Sequence, residues 1–143
     1  MAFSNYDATT TNKSKRSNRI YSDLNLSFTK NPATKDVAKV FDIQAIKRAV
    51  KNIILTNKYE RPFNSDFGCN LRGYLFENIT PPLMVAIKDR VATAIEEYEP
   101  RVSVEDIVVS EDGTNNGINI MVSFRVKGVQ EPVNVTTFLQ RVR

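Results

Sequence analysis

The side chains that could do chemistry in this chain are a few carboxylates near predicted turns. Hydrolysis of a glycoside needs two carboxylates that face each other across a cleft, one of them with a raised pKa. Four acids are candidates: Glu60, Asp66, Glu77 and Glu99. Their spacing matches no catalytic motif, and the chain contains no histidine, the commonest general base and metal ligand. The sequence therefore predicts neither an enzyme nor a metal or cofactor site.

The single cysteine, Cys69, is the other reactive group. It cannot form an internal disulfide, and no histidine is present to activate its thiol. Because Gly68 precedes it and Leu71 follows closely, we interpret Cys69 as a small residue packed in the core.

The net charge of +4 is unevenly distributed along the chain. Residues 1–60 carry 11 Lys and Arg against 5 Asp and Glu, whereas residues 61–143 carry 9 against 11. Residues 1–19 are polar and basic, which predicts an arm that is disordered in isolation. Its candidate partner-binding residues are Lys13, Lys15, Arg16 and Arg19. Such an arm could grip nucleic acid, but ordering on a protein partner is the favoured interpretation.

Hydropathy predicts no membrane association. The apolar runs are only a few residues long, well below the roughly 18 needed to span a bilayer. The polar N-terminus has no apolar central region like that of a signal peptide. We therefore expect synthesis in the cytoplasm.

Hydrophobic periodicity predicts two main helices and then three strands. The helices are expected at Ile43–Asn57 and, after the Thr80 cap and Pro81, down to Glu99, where Pro100 ends the pattern. The strands are expected at Val104–Ser110, Ile118–Val126 and Val133–Val142.

This order predicts an α+β fold for residues 20–143, taken as a single domain. Two main helices would pack on a C-terminal three-stranded antiparallel sheet. Pro132, at the start of the last strand, indicates an exposed edge strand, because an edge does not need every N–H group paired.

Two segments between these elements stand out. The turn-rich segment from Thr56 to Pro82 is expected to place Phe63, Phe67, Leu75 and Phe76 in the core. Glu99-Pro100-Arg101 stands where the second helix meets the sheet. Two alternatives remain open for this triplet: an internal Glu–Arg ion pair, or an arginine oriented toward a partner.

These segments also carry a family resemblance. ERPFNSDFGCNLRGYLFENITPP, YEPRV and YSDL at Tyr21–Leu24 resemble the T4-type phage baseplate wedge protein and tail sheath initiator family. The equivalent baseplate subunit of type VI secretion systems is also similar. One departure is Tyr59, where many relatives carry glycine.

The resemblance implies a small structural protein of the virion, located in the baseplate of a contractile tail. One copy would lie in each wedge of a sixfold baseplate, beside other wedge subunits and the tail sheath protein. The tail tube or its initiator proteins are further implied partners. Some relatives are called lysozyme-like, so a peptidoglycan hydrolase is one alternative function, and a nucleic-acid-binding module is another.

The resemblance also implies where partners bind. Glu99, Pro100 and Arg101 are expected to dock on the helical core of the wedge. Sheath subunits are expected to add to the final strand by β-augmentation, in which unpaired main-chain groups of an edge strand form the binding site. The residues of that strand are Val133, Asn134, Val135, Thr136, Thr137, Phe138, Leu139 and Gln140.

Overall fold

The computed structural model describes residues 21–141, which divide into two compact units at Asp42 and Ile43. The first unit contains a short antiparallel hairpin, in which β1 (Ser22–Leu24) pairs with β2 (Lys39–Phe41). At its open end, the N–H of Asp42 donates to the carbonyl of Tyr21 at 2.9 Å. The Asp42 carboxylate accepts from the N–H of Tyr21 at 3.2 Å. These bonds close the ribbon immediately before the first helix.

The first helix, α1 (Asp42–Leu55), confirms the helical pattern predicted from residue 43. Its buried residues recur at helical spacing: Ala45, Ile46, Val50, Ile53 and Ile54. The last carbonyls of a helix lack partners within the helix. Here the N–H of Cys69 donates to the carbonyls of Ile53 at 3.3 Å and Thr56 at 3.1 Å. The loop that follows the helix therefore returns to cap its end.

The second helix, α2 (Pro81–Tyr98), begins and ends close to the predicted residues. Pro81 lies in the first turn, where the missing N–H costs nothing. The Thr80 side chain makes no capping hydrogen bond, contrary to the prediction, although its carbonyl accepts from Met84 at 3.1 Å. The buried stripe is Leu83, Ile87, Val91, Ala94 and Ile95.

A three-stranded antiparallel sheet follows, and it confirms the predicted α+β class. Its strands are β3 (Val102–Asp112), β4 (Gly117–Val126) and β5 (Pro132–Gln140), in the order β3-β4-β5. A bulge lies between Val104 and Asp106, and α2 packs against β3. The central strand places five side chains in the core: Ile118, Ile120, Val122, Phe124 and Val126. Because β4 is central, β5 is an edge strand within the described residues.

The segment between the helices differs from the prediction in its aromatic residues. Leu75 is buried in the 3₁₀ turn Tyr74–Phe76, and Phe67 is half-buried. Phe63 and Phe76, both expected in the core, are exposed at 109% and 68%. Phe63 has a φ of 66°, a left-handed conformation that bulky residues adopt rarely. The left-handed turn at Phe63 directs its ring outward, and the smaller Cys69 and Leu71 fill the core instead.

The close approach of the segment to α1 depends on Gly68, whose φ is +107°. A Cβ there would lie 2.9 Å from the Thr56 carbonyl carbon, whereas one at Gly128 (φ +90°) would meet nothing within 4 Å.

We predict that Gly68→Ala lowers the free energy of unfolding by about 2–4 kcal/mol, from backbone strain plus overpacking. Gly128→Ala should lose only about 1 kcal/mol, from strain alone. Equal losses in denaturant unfolding would contradict this account.

Candidate protein-binding surfaces

The joint between α2 and β3 is built on an ion pair. Glu99 follows the last residue of α2, and its side chain is buried, with 4% of the residue exposed. The guanidinium of Arg101 donates to both carboxylate oxygens, with Nε to Oε1 at 2.5 Å and Nη2 to Oε2 at 2.6 Å. Such bidentate contacts fix direction as well as distance. The internal ion pair, one of the two alternatives left open by the sequence, is present in this chain. The second alternative, an arginine oriented toward a partner, stays a prediction.

Main-chain hydrogen bonds hold the same joint. The N–H of Val102 donates to the Glu99 carbonyl at 3.1 Å, and the N–H of Lys127 donates to the Arg101 carbonyl at 3.0 Å. Pro100 is exposed between the paired residues, and the Arg101 side chain is 35% exposed. The surface presented at this joint therefore consists of Pro100 and part of Arg101, while Glu99 lies beneath them and positions the guanidinium.

Alternate residues of the edge strand β5 direct their main-chain hydrogen-bonding groups toward β4. Pairs of opposite residues in an antiparallel ladder alternate between hydrogen-bonded and non-hydrogen-bonded. The N–H of Arg141 donates to the Asn116 carbonyl at 2.9 Å, which continues the register that pairs Gly117 with Gln140. The odd-numbered residues of β5 therefore bond to β4. The main-chain groups that point away from the sheet belong to Asn134, Thr136, Phe138 and Gln140.

The side chains of β5 alternate in step with its main chain. Val133, Val135 and Thr137 are buried, and Leu139 is half-buried. The four residues with outward-pointing main-chain groups have exposed side chains. At Pro132 the missing N–H would have pointed outward, so proline costs no bond to β4.

The Phe138 ring covers Gly117 on the exposed face of the sheet. A Cβ built on Gly117 would lie 2.6 Å from the ring of Phe138 and 2.5 Å from the Leu139 carbonyl oxygen. The Phe138 ring therefore occupies the space that a side chain on β4 would need. This contact stabilises the end of β5, as cross-strand pairs do in other sheets.

The far end of β5 is fastened to the turn before α2. The Arg141 guanidinium donates to the main-chain carbonyl of Glu77 at 3.0 Å. Sequence reasoning missed this contact, because the two residues are 64 positions apart and no pattern links them.

The loop after α1 is held by a polar network. The Glu60 carboxylate accepts from the Asn57 side-chain amide at 2.8 Å and from the Asn57 N–H at 3.0 Å. The Asn57 side-chain oxygen in turn accepts from the N–H of Arg72 at 3.3 Å. The hydrogen bonds from Asn57, first from its side chain and then from its backbone, lower the pKa of Glu60 below the usual value of a glutamate.

A second contact network ties this loop to the end of α2. The rings of Phe67 and Tyr98 lie 4.8 Å apart, and the Tyr98 hydroxyl donates to the Asp66 carbonyl at 2.9 Å. The Arg61 guanidinium lies 4.6 Å from the centre of the Phe67 ring, a cation–π contact. Arg61 and Arg72 thus both take part in contacts within the chain.

Two candidate acids and the thiol lie in surroundings that disfavour catalysis. A general acid needs a raised pKa, whereas Glu60 has a lowered one and Glu99 is engaged by Arg101. Burial raises the pKa of the Cys69 thiol to about 12, so the nucleophilic thiolate is scarce at neutral pH. Across residues 21–141, no three metal-ligating side chains cluster. Nor does that part of the chain contain a helix both long and apolar enough to cross a membrane.

The described residues define a class of small α+β domain with an unpaired sheet edge at β5 and an ion-paired helix-to-sheet joint. The baseplate wedge protein gp25 family matches residues 42–131. The chain is also 33% identical, over 121 residues, to the baseplate wedge protein gp25 of Enterobacteria phage T4. That alignment covers 82% of this chain and 87% of the T4 protein.

Solved structures share the fold. A proposed tail lysozyme from Geobacter sulfurreducens superposes with a TM-score of 0.65 at 22% identity, over 70% of this chain and 91% of that one. A chain of the sixfold-symmetrised baseplate of the anti-feeding prophage gives 0.61 at 19% identity, over 86% and 87%. At these identities the likeness concerns the fold alone.

The chain belongs to the baseplate wedge protein gp25 family. It is a structural component of a contractile tail and is located in the tail baseplate of the virion. The predicted basic arm, with Lys13, Lys15, Arg16 and Arg19, lies outside the described residues, and its role stays a prediction.

The joint makes a stability prediction. Arg101→Ala would leave the buried Glu99 carboxylate without its bidentate partner. We expect a loss of about 2–3 kcal/mol in the free energy of unfolding, less than for a fully buried pair because Arg101 is partly exposed. The matched control is Arg125→Ala, which breaks the exposed pair with Glu105 (2.6 Å) and should cost under about 1 kcal/mol.

Adding Glu99→Gln to Arg101→Ala should recover part of that loss, because the buried charge is then removed. Denaturant unfolding of the four proteins in this cycle measures the coupling. Additive costs, or equal costs at Arg101 and Arg125, would show that the pair does not hold the joint.

The Glu60 network makes a pH prediction. Because the pKa of Glu60 is lowered in the folded chain, its contribution to stability is full above the unfolded pKa and is lost as pH falls through the folded value. The Asn57 amide resonance should therefore shift, in an acid titration followed by NMR, with a midpoint below the usual glutamate value. Glu60→Gln should remove this transition. A midpoint at or above the usual value would refute the assignment.

Proposed function

We propose that this chain is a non-enzymatic wedge subunit that docks on the wedge core through the α2–β3 joint and templates the tail sheath by β-augmentation at β5. The observation that carries the proposal is the open edge of β5. Four residues there direct unpaired N–H and C=O groups outward within the described structure. Unpaired main-chain groups on an edge strand are a ready template for another strand.

The edge is suited to controlled pairing. Exposed Asn134, Thr136 and Gln140 are polar, which keeps an unpaired edge soluble before assembly. Main-chain bonds to an added strand would supply affinity, and the side-chain alternation of β5 would select which face of that strand turns toward the core. One sheath strand per wedge subunit would start a ring with the symmetry of the baseplate.

The joint supports the docking part of the proposal. Pro100 sets a rigid exit from α2, and Glu99 holds the Arg101 guanidinium in one direction. A pre-oriented arginine with an exposed edge loses little conformational freedom on binding a carboxylate or carbonyl of a wedge subunit. Sixfold placement in the baseplate is supported by the sixfold-symmetrised assembly that contains the anti-feeding prophage relative. Contacts with the tail tube or its initiator proteins also belong to the proposal.

Contacts of two candidate acids support a non-enzymatic role over the enzyme alternative. Glu60, Asp66, Glu77 and Glu99 were the candidate acids. The side chains of Glu60 and Glu99 are hydrogen-bonded within the chain, to Asn57 and Arg101. These contacts position the loop after α1 and the joint between α2 and β3.

The experiment is Thr136→Pro, tested in baseplates assembled with sheath protein. Proline removes one outward N–H from β5 and places its ring where a pairing strand would lie, while the bonds to β4 remain. We expect the variant to enter baseplates normally and to reduce the fraction of sheathed tails about tenfold, as counted by electron microscopy.

Two controls isolate the edge. Thr136→Val changes the same side chain but keeps the N–H. Glu111→Pro removes an outward N–H from β3, the opposite edge of the sheet. Both should sheathe as the unmodified protein does. Normal sheath growth on Thr136→Pro baseplates would refute templating at β5.

A further inference from the structure

One buried polar atom on β5 has no hydrogen-bond partner among residues 21–141. Thr137 is 2% exposed, and its Oγ1 makes no hydrogen bond within the part of the chain that the structure describes. It is the only buried side-chain nitrogen or oxygen in residues 21–141 with this property. A buried hydroxyl without a partner costs free energy, because its bonds to water are lost on folding and nothing replaces them.

The isolated fold does not need this hydroxyl. The other buried side chains of β5 are Val133 and Val135, and valine has nearly the same shape as threonine. Opposite Thr137 on β4 lies Ile120, which offers no polar atom. Thr137 therefore packs as a valine would, and its hydroxyl makes no hydrogen bond within the described chain.

The parity of β5 indicates where a partner would come from. Thr137 bonds its main chain to Ile120, so it would form a non-hydrogen-bonded pair with a residue on a strand added antiparallel to β5. Side chains approach most closely in such pairs, with Cβ atoms about 4.5–5.5 Å apart, and hydroxyl–hydroxyl bonds are among the contacts they form. Rotation about the Cα–Cβ bond would bring Oγ1 toward that neighbour.

We propose that Thr137 sets the register of the strand that adds to β5. That strand carries a serine, threonine or asparagine opposite Thr137, and apolar residues opposite Val135 and Leu139. This inference rests on the proposed augmentation at β5. The alternation of side chains cannot specify the register alone, because a slip of two residues keeps the same face of the added strand inward and leaves the hydrophobic pattern intact. The Thr137 contact would distinguish between such registers.

The test is a register measurement by NMR on the full chain. The probes are nine-residue peptides with lysine and threonine at outer positions and valine at inner positions, and each carries a nitroxide at its N-terminus. In successive peptides one inner valine is replaced by threonine. In the unmodified protein, moving that threonine by two positions should shift the relaxation effect along β5 by about 7 Å.

The variants separate the hydroxyl from the side chain. In Thr137→Val the register should no longer follow the threonine of the peptide, and the affinity advantage of about fivefold over the all-valine peptide should vanish. Thr137→Ser should restore both effects. The matched control, Thr93→Val, makes the same change on the exposed surface of α2, outside the binding edge, and should alter neither.

A second measurement needs no partner. Thr137→Val should unfold at an equal or higher denaturant concentration than the unmodified protein, because no bond is lost. A lower midpoint would show that the hydroxyl is satisfied within the chain, which overturns the inference.

The outcomes distinguish the two proposals. Peptides that bind β5 with a register indifferent to Thr137 would overturn the register inference and leave augmentation standing. Peptides that perturb no amide of β5 would overturn both.

Discussion

The alternation of buried and exposed side chains along β4 is the constraint on which the rest of the second unit, from Ile43 onward, depends. Its even-numbered side chains form the centre of the core, and its main chain is paired on both sides. Because the main-chain groups of β4 are paired on both sides, the direction of the main-chain groups in each neighbouring strand is also determined. In β5, the N–H and C=O groups of odd-numbered residues point toward β4, and those of even-numbered residues point away from the sheet. The core packing of β4 therefore determines which main-chain groups of β5 lie at the sheet edge in the described residues.

The joint between α2 and β3 is also held by this sheet. Pro100 stops α2, Glu99 folds beneath it, and Arg101 closes over the carboxylate before β3 begins. Because the Arg101 carbonyl also accepts from Lys127, the joint is tied to the turn between β4 and β5. An ion-paired joint and a β5 edge unpaired among the described residues lie on one small sheet, as the proposed docking and templating both require.

Much of this could be predicted from the sequence, because helix and strand periodicities are local. The stripe along α2 and the alternation of β4 identify both elements without any tertiary information. Phe63 was assigned wrongly because hydrophobicity does not reveal a left-handed turn residue. Phe76 was assigned wrongly because hydrophobicity does not show which side chain of a short 3₁₀ turn points inward; there it is Leu75. The Glu99–Arg101 pair could not be decided, since both alternatives use the same residues. Thr137 was missed, although a lone threonine among buried valines was the available signal.

The most direct measurement is a cryo-electron microscopy reconstruction of sheathed tails at a resolution that separates strands. The account predicts a sheath strand hydrogen-bonded to the outward main-chain groups of Asn134, Thr136 and Phe138. It also predicts Pro100 and Arg101 buried against the wedge core, with Glu99 still paired to Arg101. A bare β5 edge in sheathed tails, or an edge covered by a helix or loop, would contradict the account.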